Sequence, residues 1–116
     1  MQDRPTTAEL VEAVRAFLET DVMPAVEGRI AFHTRVAVNA LGMVEREVRL
    51  GPQFEAEERA RAARLLGHDG DARALERELA RAIRAGQLGV DDKAVVEHVR
   101  ATVREKLEIA NPKYLG

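Results

Sequence analysis

The chain has 116 residues, enough for one domain that buries about two-thirds of its unfolded surface. Charged residues make up 33% with both signs mixed and a formal net charge of -2, a balance that argues against nucleic-acid binding through clustered cations. The absence of cysteine excludes disulfides, thiolate chemistry and cysteine-type zinc sites, and aromatics at 3% leave Leu, Val, Ile and Ala to fill the core.

Gln2 to Pro5 reads as a short extended lead-in, since Pro5 biases Arg4 away from helical angles. No long apolar run follows a basic start, so the amino end does not read as a secretory leader. No stretch approaches the ~20 apolar residues that span a bilayer, and the expectation is a soluble, cytoplasmic, bacterial protein. Thr6 and Glu9 have capping-box spacing and open a first helix to about Met23. Leu10, Val11, Val14, Phe17, Leu18 and Val22 share one of its faces, and Asp21 near that face predicts fraying or a bend toward the end.

Gly28 before it and Gly51-Pro52 after it delimit the longest helical pattern, a central helix over about Arg29 to Leu50. At ~100° per residue, Ile30, Phe32, Val36, Ala37, Ala40, Leu41, Met43, Val44 and Val48 gather on one half, with His33 and Glu47 among them. Thr34, Arg35, Asn39, Glu45, Arg46 and Arg49 fall on the other half. An arc that wide predicts a helix covered by at least two neighbours.

Pro52 suits the first turn of a third helix, with Glu55 and Glu57 placed four residues before Arg59 and Arg61. Its modest apolar face, Phe54, Ala62, Leu65 and Leu66, predicts the least buried helix. Gly67 reads as a left-handed stop and Asp71 as the cap of a fourth helix to about Ala85, which turns Leu75, Leu79, Ala82 and Ile83 inward. Gly86 ends that helix, and Leu88 or Val90 tucks under the loop that follows. Asp91 or Asp92 caps a fifth, striped by Val95, Val96, Val99, Val103, Leu107 and Ala110 and stopped by Asn111-Pro112; Tyr114 in the tail is placed to dock back. The expected architecture is all-α: a single domain over 1–116, five helices around one core, four of them forming a bundle.

Chemistry has few visible carriers. His33 lies within the apolar arc, where a core histidine holding one partner is the plainer reading than a general base. Glu47, fourteen residues on, cannot meet it on one helix; it reads as structural, either reaching water near the helix end or meeting an arginine from a neighbour. His98 falls on the polar face of the last helix and reads as solvated. His68, Asp69 and Asp71 lack calcium-loop spacing and read as a capped turn. Arg73, Arg77, Arg81 and Arg84 line one side of the fourth helix, while Arg35 and Arg46 flank Asn39 on the long one. Arginine forks suit phosphates and carboxylates, but no glycine-rich loop accompanies them. No metal or cofactor is expected.

Several blocks in combination carry a resemblance: Gln2 to Thr6, Gly28 to Ala37 with Asn39-Ala40, Glu45-Arg46-Glu47, Leu65-Leu66-Gly67 with Asp71, Ile83 to Gly86, and Asn111 to Tyr114. With these the chain resembles a bacterial family of small helical proteins known as domain of unknown function 6285. The resemblance implies no reaction. It implies, by association alone, an accessory role beside kinase-like phosphotransferases or acyl-CoA-metabolising enzymes.

Two readings follow. The leading one is a non-enzymatic helical accessory module that binds a protein partner of that kind, binds neither nucleic acid nor membrane, and is open to self-association. The alternative is a ligand-binding protein or enzyme that recognises an acidic or phosphorylated metabolite through Arg35, Asn39 and Arg46 with His33.

Overall fold

A computed structural model describes residues 3–115; the lead-in expected at Gln2 lies partly outside them. Thr6 caps α1 (Thr7–Phe17) with a complete capping box, its hydroxyl accepting from the Glu9 amide at 3.2 Å while Glu9 accepts from the Thr6 amide at 3.0 Å. The bend anticipated near Asp21 is a π-helical turn, Leu18–Val22, followed by a single 3-10 turn, Met23–Ala25. Next come α2 (Gly28–Leu66), α3 (Ala72–Arg84) and α4 (Lys93–Ala110). Among the described residues there is no strand.

The helix count is four and not five, because the break expected at Gly51-Pro52 does not occur: α2 runs on through Pro52 for 39 residues. Proline forfeits one bond, the amide that would reach the Val48 carbonyl, and disfavours helical angles in the residue before it. That residue is Gly51, which has no side chain to clash. The stretch beyond, rich in Glu, Ala and Arg, favours helix strongly enough to continue.

The chain divides into two compact units, Met1–Gly51 with Ile109–Asn111, and Pro52–Glu108 with Pro112–Gly116. In the first, the covered positions of α1 include Ala8, Val11, Arg15 and Leu18, spaced three and four apart. Those of α2 include Ala31, Thr34, Val38, Leu41 and Glu45, with Thr34 and Val38 buried. Thr34 satisfies its hydroxyl on the Ile30 carbonyl at 2.7 Å. Arg15 reaches Glu45 at 3.0 Å, and Arg49 joins Glu45 to Glu12 at 3.4 and 3.3 Å.

This corrects the phase expected for the long helix. Its contact face is centred on Thr34 and Glu45, and the apolar arc points outward, with Phe32 59% and Val36 49% exposed. The expected face of the first helix is split: Val11, Leu18 and Val22 are partly covered, while Leu10, Val14 and Phe17 are exposed.

In the second unit, α3 turns Leu75, Leu79 and Ala82 inward as its periodicity predicts, and Asp71 caps it by accepting from the Ala74 amide. Gly67 and Gly86 end α2 and α3 in the left-handed region, at φ of 83° and 77°. The third segment of the sequence is not the least buried: Ala62 is fully enclosed. Asp92 caps α4 through the Ala94 amide at 2.9 Å, and Val95 is buried. Val99 and Val103 of the expected stripe are exposed, and so is Tyr114, at 75%.

Candidate functional site

The residues singled out on α2 do not form one cluster. Arg35, Asn39 and Arg46 fall along one side of the helix, within about 40° of each other at ~100° per residue. Arg35 and Asn39 are exposed. Arg46 bends back over Gly42, where an added Cβ would stand 3.3 Å from Nη1, and its Nε–H donates to the Ile109 carbonyl at 2.7 Å. That carbonyl belongs to the last turn of α4, whose C=O groups lack helical partners, so the guanidinium supplies both a hydrogen bond and charge against the helix dipole. His33 projects from a different side. It is exposed, with its ring edge-on to Phe32 at 5.4 Å between centroids, and is not the core histidine its position suggested. Glu47 is also exposed.

The most buried polar chemistry lies in the second unit, at a residue the sequence reading set aside. His98, expected to be solvated, is 3% exposed. Its Nδ1 accepts from Arg61 Nε–H at 3.2 Å, which leaves Nε2–H to donate to Glu76 at 2.8 Å. The ring is therefore the Nε2–H tautomer with both nitrogens engaged. Arg61 closes the network with a fork onto Glu105, at 2.8 and 3.2 Å, and a contact to Thr102 at 3.4 Å. Glu105 holds the guanidinium above its ordinary range. The in-helix partner expected for Arg61, Glu57, is passed over, and Arg59 likewise pairs with Asp69 and not Glu55. Burial, then the neighbouring Glu76 charge, pushes the Glu58 carboxyl above the usual carboxylate range.

This cluster ties α2, α3 and α4 together. A general base needs a free lone pair aimed at a substrate, and His98 has none to offer. A cavity of about 340 Å³ opens beside it, lined by Arg61, Arg64, Leu65, Ala94, Glu97 and His98. A second, about 260 Å³, lies between the His68 turn and α3, lined in part by Arg77, Glu78 and Arg81. The sequence signal for the cluster was the three-four spacing of Val95, His98, Thr102 and Glu105. It was outweighed by the more apolar stripe through Val99 and Val103.

The third feature is the uncovered apolar surface. On α1 it is Leu10, Val14 and Phe17; on α2, Phe32, Val36, Met43 and Val44; on α4, Val99 and Val103. Contiguous exposed apolar surface beyond a few hundred Å² marks contact sites on soluble proteins. No helix among the described residues is long and apolar enough to cross a membrane.

Residues 24–114 match the sequence profile of a family described as Domain of unknown function (DUF6285). The first block of the resemblance, Gln2 to Thr6, and all of α1 precede the matched segment. No curated protein and no solved structure matches the chain.

Proposed function

For a chain that belongs to the DUF6285 family, whose description assigns no activity, we propose a role read from its surfaces: a helical interaction module that works by holding other proteins. The observation that carries this is the set of outward apolar stripes on α1, α2 and α4. The buried polar network around His98, by contrast, is closed on itself and serves packing. The partner we propose is a kinase-like phosphotransferase or an acyl-CoA-metabolising enzyme, on the association attached to the family resemblance alone.

The alternative is a site for an acidic or phosphorylated metabolite. It has in its favour that Arg35, Asn39 and Arg46 share one side of α2, although His33 lies apart from them.

The test is capture from host lysate by wild type and by Phe17→Asp, Val36→Asp and Val103→Asp, alongside thermal-shift screening with acyl-CoA thioesters and nucleotides. Loss of a captured protein in a stripe variant that stays helical supports the module. Saturable stabilisation by one metabolite, lost in an Arg35→Ala/Arg46→Ala variant while no protein is captured, overturns it in favour of the ligand site.

A further inference from the structure

We propose that the outward stripe of α2 is the contact for a second copy of this chain, laid antiparallel about a two-fold axis near Val36 and Ala40. This rests on reading the apolar stripes as docking surfaces and names the occupant of one of them.

The stripe is self-complementary. In an isologous pair, residue i of one copy meets residue j of the other and the reverse. Val36 against Ala40, Phe32 against Val44, and Arg29 against Glu47 all share one midpoint, at position 38. At ~100° per residue each of the six lies within about 60° of a common line along the helix. Opposite Val36, the single methyl of Ala40 lets the backbones approach where the axes cross. Phe32, the most exposed of the three large apolar residues among the six, then covers Val44.

Charge sets the direction. Arg29 and Glu47 are exposed, and neither takes part in the ion pairs among the described residues. They sit eighteen residues apart on one helix, about 27 Å along its axis, so they cannot meet within a chain. An antiparallel copy brings each to its opposite at both ends of the contact. A parallel copy in the same register would set Arg29 on Arg29 and Glu47 on Glu47.

The apolar part of the contact is Phe32, Val36, Met43 and Val44, exposed by 59%, 49%, 41% and 42%, with the methyl of Ala40 among them.

The experiment is sedimentation velocity on the full chain over a concentration series. Wild type should run at twice 12.8 kDa. Val36→Asp should be a monomer that keeps its helical circular dichroism. Arg29→Glu and Glu47→Arg should each raise the dimer dissociation constant about 3- to 30-fold, since two rim pairs turn repulsive at once. The double variant Arg29→Glu/Glu47→Arg should return to within about 3-fold of wild type, because the exchange restores both pairs.

A wild type that stays monomeric at ~100 μM, where a specific contact should be populated, overturns the proposal. So does a dimer indifferent to Val36→Asp, or a double variant no better than the singles. A monomeric wild type whose Val36→Asp variant loses a captured host protein sinks the dimer and leaves the docking reading standing; a chain that neither dimerises nor captures sinks both.

Discussion

His33 and His98 exchanged roles between sequence and structure, and the exchange shows in what each substitution costs. Removing the His98 ring would take this partner from the Arg61 Nε–H and from one Glu76 oxygen and leave a void where a 3% exposed ring had packed. His98→Ala should therefore destabilise by about 2–4 kcal/mol in urea melts, whereas His33→Ala should stay within about ±0.5 kcal/mol. Glu58 carries a testable sign of its own. Its folded pKa is raised, by burial first and the Glu76 charge second, so its contribution is fully present below the ordinary 4.5 and is lost as pH rises through the folded value. Near neutrality the ionised pair is a cost. Glu58→Gln should raise stability at pH 7, and the gain should vanish below about pH 4.5. His68 runs in the same direction at higher pH. Nδ1 lies 3.2 Å from the Asp69 carbonyl and Nε2 2.6 Å from Glu78, so both acceptors favour the imidazolium and raise its pKa above 6.5. The stabilisation it gives is complete below about 6.5 and lost as pH climbs past the raised value. A His68→Ala variant should flatten that part of the pH–stability profile.

At the scale of elements, α2 is decided by two residues that a local reading treats as punctuation. Gly51 and Pro52 together resemble a stop, yet the helix tolerates them at the loss of one backbone bond. Pro52 is exposed, so Pro52→Ala should restore that bond without disturbing packing and raise stability by about 1–3 kcal/mol, read from circular-dichroism melts. Glu45 is the converse case. The helical wheel assigns it to solvent, where truncation is neutral, but it accepts from Arg15 and forms an ion pair with Arg49, with only 15% of its side chain exposed. Glu45→Ala should cost about 1–2 kcal/mol, against near-neutral effects at Glu55. The α1–α2 seam thus uses charged residues where its sequence offers more apolar ones nearby, because those face outward.

For the molecule as a whole, the enclosed core is thin. Among the described residues Leu75 alone is both large and fully buried, and truncating it to Ala should cost about 2–5 kcal/mol. The proposed pairing of α2 stripes would add apolar burial to this thin core. The chain's thermal midpoint should therefore rise with protein concentration, and that rise should disappear in Val36→Asp and reappear in Arg29→Glu/Glu47→Arg. Scanning calorimetry across a hundredfold range of concentration would read it.

Helix identity and most helix ends were legible in the sequence, because they depend on neighbours within a few residues. The Thr6–Glu9 box, the Asp71 cap, the glycines at 67 and 86 and the stop before Pro112 act locally and held in the structure. The tertiary structure alone decided which face of α2 meets α1, where His98 sits, and whether Gly51-Pro52 ends a helix. The first two turn on side chains distant in sequence, Arg15 drawing Glu45 inward and Arg61 and Glu76 closing on an imidazole; the third turns on the Glu-, Ala- and Arg-rich stretch beyond Pro52 outweighing one lost backbone bond. A helical wheel ranks faces by hydrophobicity, and an ion pair between two helices can outweigh that ranking without leaving any mark in the period.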